Sequence, residues 1–124
     1  MREILFRGKL QSNGEWSFGN LNVSLRGTVI ITPDETSIGK YGQVIPETVG
    51  QYTGLNDKNG KKIFEGDIVK YKNNSPCKVG YIDSQFVMMW KNFYRNFEQV
   101  YDYKIEVIGN IHDNSELLKG IKNV

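Results

Sequence analysis

Apolar and polar residues alternate in short runs along most of this chain, and tight-turn dipeptides separate the runs. That is the pattern of short antiparallel strands rather than of helices. The first run sets Ile4, Phe6, Gly8 and Leu10 against Glu3, Leu5, Arg7 and Lys9. Ser12-Asn13-Gly14 supplies a turn, and Glu15-Trp16-Ser17-Phe18 returns, which predicts a hairpin with the Trp16 and Phe18 rings over Ile4 and Phe6. Leu21, Val23 and Leu25 continue the alternation as far as an Arg26-Gly27 turn. Residues 28–32 are a β-branched run with strand character. Residues 33–39 form a polar loop opened by Pro33, 41–45 a short strand, and 47–50 a connection between two lobes.

The stretch 51–70 dictates a shape most strongly. Asn59-Gly60 tolerates positive φ at both positions and is flanked by Asp57-Lys58 and Lys61-Lys62, so a solvated type I′ hairpin tip is expected. Glu65-Gly66-Asp67 turns the chain into an apolar strand, with Ile68 and Lys70 on one face and Val69 and Tyr71 on the other. The acidic tip is not a calcium loop. With Gly60 at the sixth position of an EF-hand, Leu55 falls at the first and Lys62 at the eighth, where a carboxylate and an apolar residue are needed.

Asn73-Asn74-Ser75-Pro76 is a turn cluster. Cys77, Val79 and Tyr81 alternate with Lys78, Gly80 and Ile82, and Gly80 marks a bulge or a close approach. Residues 85–90 are a strongly apolar strand, from which Phe86, Met88 and Trp90 are assigned to a core. Between 91 and 103 the signals conflict. Trp90, Phe93, Tyr94 and Phe97 fall at helical spacing and Tyr101 extends it, while aromatics also suit strands; the stretch is read as a strand into a loop or a single helical turn. Residues 104–111 alternate as a closing strand. Asp113-Asn114-Ser115-Glu116 opens a short helical turn, and Leu117 and Leu118 pack back. The fold class is therefore mainly β: an N-terminal hairpin and meander lobe over 1–50, then a small SH3-like barrel over 51–124 that ends in a helical turn.

The blocks Tyr52-Thr-Gly-Leu-Asn-Asp-Lys-Asn-Gly-Lys-Lys-Ile-Phe-Glu-Gly-Asp67 and Glu106-Val-Ile-Gly-Asn-Ile-His-Asp-Asn-Ser-Glu-Leu-Leu118 resemble the YopX family of phage and prophage proteins. The opening Arg2-Glu-Ile-Leu-Phe-Arg-Gly-Lys9 is compatible with that family, and the stretch 73–101 matches in general character only. Ser115 stands where the family pattern has Pro, and His112 where it has an aromatic. The resemblance implies a phage-encoded protein with an SH3-like C-terminal half. Its motif maps onto Thr53, Gly54, Asp57, Gly60, Glu65, Gly66, Asp67, Gly109 and Asn110, and it carries no catalytic residues over to this chain.

Composition narrows the classes. With 124 residues, 39% hydrophobic and 24% charged, the chain has a core to bury and is not of disordered type. A net charge of +2 is too small by itself to indicate a nucleic-acid binder. The single cysteine excludes an internal disulfide and suits a reducing compartment. The N-terminus has no run resembling a signal peptide and no segment long enough to span a bilayer, so a cytoplasmic protein that does not engage membranes is expected.

Candidate chemistry is sparse. His112 is the lone histidine and reads as a structural or surface residue. Cys77 reads as a small buried hydrophobe. Glu65, Asp67 and Asp83 lack diagnostic spacing for magnesium or acid–base work, and Asp67 suits turn amides better. No Walker loop, dinucleotide-binding glycine pattern or HExxH occurs, so no enzyme, cofactor or metal is expected. Binding is the remaining class. Phe93, Tyr94, Arg95, Phe97 and Tyr101 form the candidate surface for a second copy or a phage or host protein, against a competing role in the core. Lys58, Lys61 and Lys62 make a basic tip that, with Lys91, Arg95 and nearby rings, would serve a nucleic-acid-binding alternative.

Overall fold

A computed structural model of the 124-residue chain describes residues 3–32, 40–97 and 104–119. The chain is mainly β, as its turn-rich patterning predicts, and divides into two units, Met1–Tyr52 and Thr53–Val124. Strand β5 (Gly50–Asn56) carries the chain from the first unit into the second.

The first unit is an antiparallel meander in the order β4-β3-β2-β1-β5, built from β1 (Phe6–Lys9), β2 (Trp16–Ser24), β3 (Gly27–Thr32) and β4 (Lys40–Gln43). A 3-10 turn, Pro46–Thr48, leads into β5. Ile30 and Val44 are fully buried here, and Gly8 lies so close to Val44 that an added Cβ would stand 3.0 Å from its Cβ.

The face expected for the two rings of the first hairpin is corrected. Leu10 N–H donates to Glu15 O, so the loop holds four residues rather than the three of Ser12-Asn13-Gly14. Lys9 then pairs with Trp16 and Arg7 with Phe18. A one-residue slip exchanges the faces of a strand. Trp16 accordingly lies under cations, with the Arg7 guanidinium 4.5 Å and the Lys9 ammonium 5.6 Å from its ring, while Ile4 is exposed. The following turn falls at Leu25-Arg26, one residue earlier than expected, with Ser24 paired to Gly27. The polar loop 33–39 lies outside the described residues.

In the second unit the end of β5 runs beside β6 (Lys62–Phe64), and the turn between them is not type I′. Gly60 has φ +82°, but Asn59 is not among the positive-φ residues. Gly60 N–H bonds Asp57 O and Asp57 N–H bonds Lys61 O, giving a longer loop closed by a glycine in the left-handed region. A two-residue loop with both residues left-handed occurs instead between β8 and β9, at Asp83 (φ 52°) and Ser84 (φ 67°).

A five-stranded antiparallel sheet follows, in the order β10-β9-β8-β7-β11. Its strands are β7 (Asp67–Tyr71), β8 (Cys77–Ile82), β9 (Gln85–Met89), β10 (Tyr94–Asn96) and β11 (Ile105–Asn110). Among the described residues β10 and β11 are its two edges and do not pair with each other, so the barrel is not closed by hydrogen bonds there. Register puts Val69 opposite Cys77 and Val79 opposite Met88, and one apolar face results. That face, with Ile63, Tyr71, Trp90, Phe97 and Ile105, is the core of the unit. Tyr81 shares the alternation but is exposed, packed edge-on to Phe86. A bulge between Val107 and Gly109 breaks the alternation expected of β11. A single-turn helix α1 (Glu116–Lys119) ends the described chain, with Leu117 and Leu118 half-buried.

Candidate functional site

The motif residues are occupied with turns. The Thr53 hydroxyl donates to Ile63 O, bridging β5 and β6, and accepts from Leu55 N–H. Asp57 is buried and does more. Its Oδ1 accepts Asn59 N–H at 2.8 Å and Lys61 N–H at 2.9 Å, and its Oδ2 accepts Val107 N–H at 2.9 Å from β11. Burial would raise the Asp57 pKa, but the three amides and the Lys61 charge outweigh it and hold the carboxyl below its ordinary value.

Glu65 and Gly66 turn the chain between β6 and β7, with Gly66 at φ +92°; Gly54 is also left-handed, at φ +90°. Gly66 N–H bonds Val79 O, its carbonyl accepts Ile111 N–H, and the buried Asp67 accepts Phe64 N–H at 2.7 Å. At the end of β11, Asn110 Oδ1 accepts the amides of His112 and Asp113. Asn114 Oδ1 accepts Asn110 N–H and sits 2.6 Å from where a Cβ on Gly109 would be. Glycine is required at 109 for space.

The aromatic segment divides. Phe97 is 7% exposed and belongs to the core, which removes it from the candidate surface because its ring completes the cluster with Trp90 and Tyr71. Arg95 is half-buried, its guanidinium 5.6 Å from the Tyr71 ring centroid. Phe93 and Tyr94 are 57% and 48% exposed. Phe93 stacks on Trp90 at 4.8 Å, and Trp90 is anchored by its indole N–H to Ser75 O. Tyr94 begins the edge strand β10. Tyr101 lies outside the described residues.

The basic residues regroup more than the sequence suggests. Lys58, Lys70, Lys72 and Lys104, with Glu106, line a groove of ≈ 430 Å³. Lys61 and Lys62 do not line it, and neither do Lys91 or Arg95. Lys58 pairs with Glu106 at 3.4 Å, and Lys70 stands opposite Glu106 across the β7–β11 ladder. Lys70, Lys72 and Lys104 carried no local signal; only the pairing of β7 with β11 brings them together.

Burial pushes the Cys77 thiol up to about 12, which makes it a poor nucleophile at neutral pH. Among the described residues no group of three or more His, Cys, Asp or Glu is placed to hold a metal ion. No helix among them is long and apolar enough to cross a membrane.

These features define the class: a small mainly-β protein of two units, its turns held by side-chain hydrogen bonds to backbone amides. The chain belongs to the YopX family, whose model, described as "YopX protein", matches residues 6–119. It is also similar to a solved structure described as the crystal structure of protein EF1440 from Enterococcus faecalis, with 27% identity, 95% of this chain and 99% of that chain covered, and a TM-score of 0.60. No curated protein matches the sequence significantly.

Proposed function

We propose that this protein acts by binding rather than by catalysis, as a phage or prophage product in the host cytoplasm, and that its partner is a polypeptide docked at the start of β10. A second copy of the chain is the first partner to test. The observation that supports this is the exposure of Phe93 and Tyr94, 57% and 48%, beside a sheet edge. Burying one such ring in an interface contributes about 1.5–3 kcal/mol, and aromatic residues are enriched among the side chains that dominate binding energy. An edge strand also offers unpaired backbone groups to an incoming strand.

Light scattering on the purified protein tests the reading, in parallel with the double variant Phe93→Ser/Tyr94→Ser. The native chain is expected to form a defined oligomer, or to retain a partner from host lysate. The variant should be monomeric with an unchanged circular dichroism spectrum. A native chain that is strictly monomeric and captures nothing would overturn the proposal.

A further inference from the structure

We propose that Asn59-Gly60 is a self-modifying site: in water, with no enzyme, the Asn59 carboxamide passes through a cyclic imide to isoaspartate, and the product frees the β5–β6 loop from β11. The reaction is intramolecular. The Gly60 backbone nitrogen loses its proton and bonds to Asn59 Cγ, the Cγ–Nδ2 bond breaks, and ammonia leaves. Water then opens the imide at either carbonyl. One opening gives aspartate. The other gives isoaspartate, in which the main chain runs through Cβ and Cγ and the former backbone carbonyl has become a carboxylate. Glycine suits the position after the asparagine because it has no Cβ to crowd the attacking nitrogen. The loop leaves that side open too, since a Cβ built on Gly60 would meet nothing within 4 Å.

A second asparagine–glycine pair, Asn13-Gly14, provides the comparison. There Asn13 Oδ1 accepts Glu15 N–H at 2.9 Å and Gly14 N–H bonds Leu10 O, so electrophile and nucleophile are both held. At the other pair Asp57 holds backbone only: its Oδ1 accepts Asn59 N–H at 2.8 Å and its carbonyl accepts Gly60 N–H at 2.9 Å. Neither bond fixes the exposed Asn59 carboxamide. Attack therefore waits on the bond at Gly60, which a local opening of the loop breaks. The product matters because Asp57 is tied to both sides of the 59–60 bond. Beyond it, Lys61 N–H reaches Asp57 Oδ1 at 2.9 Å and Asp57 N–H reaches Lys61 O at 2.7 Å. A methylene inserted between the two sides cannot leave all these distances as they are. The new carboxylate also repels that of Asp57. Because Asp57 Oδ2 accepts Val107 N–H at 2.9 Å, the disturbance reaches β11.

The test ages the purified chain at mildly alkaline pH and physiological temperature, and follows it by peptide mass spectrometry and by labelling with an isoaspartyl methyltransferase. Residue 59 should gain the mass difference between OH and NH2 well before residue 13, and faster as pH rises, because the attacking amide must lose a proton. Urea unfolding of the second unit, read from Trp90 fluorescence in a Trp16→Phe background, should develop an earlier transition whose share of the amplitude matches the isoaspartate fraction. Asn59→Gln, whose longer side chain closes the ring poorly, should keep a single native transition on ageing. Freshly prepared Asn59→Asp gains the charge without the methylene and should shift less than the aged chain. Residue 59 still asparagine when residue 13 has converted overturns the proposal. So do isoaspartate at 59 with an unaltered transition, an aged Asn59→Gln chain that shows the earlier transition, and fresh Asn59→Asp shifted as far as the aged chain.

Discussion

Asp57 joins the β5–β6 loop to β11, and removing its carboxylate is the sharpest test of how the second unit is held together. Asp57→Ala leaves three amides without their acceptor: Asn59, Lys61 and Val107. Asn59 and Lys61 are exposed, so water replaces the carboxylate and each loss is about 0.5–1.5 kcal/mol. Val107 is half-buried, and its stranded N–H costs about 1–3 kcal/mol. The total expected is roughly 3 kcal/mol, a large fraction of what holds a small domain folded. Asp57→Asn keeps one acceptor oxygen but aims an NH2 group at a donor, and should cost about half as much. Each unit holds one tryptophan, Trp16 and Trp90, so urea unfolding followed by fluorescence in a Trp16→Phe background reports the second unit alone. With a slope of about 1–1.5 kcal/mol/M, the midpoint for Asp57→Ala should fall by roughly 2 M or more. The sign of the pH dependence follows from the lowered folded pKa. The contribution is fully present above the unfolded value of about 3.9 and is lost as pH falls through the folded one. The Asn variant should lack this acid-side loss. An unfolding free energy for the Ala variant within about 0.5 kcal/mol of the native chain's, or an Asn variant with native acid sensitivity, would refute the reasoning.

Cys77, buried and with its thiol pushed up to about 12, should resist a thiol reagent for hours at neutral pH and react fully in urea, as followed by absorbance. Gly109→Ala should lower stability by about 1–2 kcal/mol in a thermal melt, because its Cβ displaces the Asn114 side chain that accepts Asn110 N–H. Replacing Asp83-Ser84 with Asn-Gly should raise stability by roughly 0.5–1.5 kcal/mol in the same assay, since both residues are left-handed and neither is glycine.

Strand placement was legible because it rests on local alternation and turn chemistry. The failures share one cause, which is that register is not local. Asn59-Gly60 marked a real turn, yet the Asp57 carboxylate draws the loop into a longer form, while the left-handed pair sits at Asp83-Ser84, whose residues signal it weakly. In the first hairpin one extra loop residue moved Trp16 and Phe18 onto the face of Lys9 and Arg7. Phe93, Tyr94 and Phe97 have the same chemistry in sequence. Only the turn closed by Trp90 N–H to Phe93 O separates the buried ring from the exposed ones. The lysine groove was the least legible feature, because Lys58, Lys70 and Lys104 meet through the pairing of β7 with β11.

The most recognisable residues of this chain are committed to architecture. Thr53, Asp57, Asp67 and Asn110 each spend their side-chain oxygens on backbone donors or carbonyls, and Gly66 and Gly109 meet steric demands no other residue satisfies as well. A side chain satisfied in this way has little capacity left for a ligand, so the binding proposed above would fall to residues outside the motif. Phe93 and Tyr94 at one edge of the sheet are such residues. Hydrogen-bonded turns fix the strand ends without calling on those side chains. It follows that their substitution should change binding while leaving unfolding midpoints nearly unmoved, and that substitution of the motif residues should do the reverse.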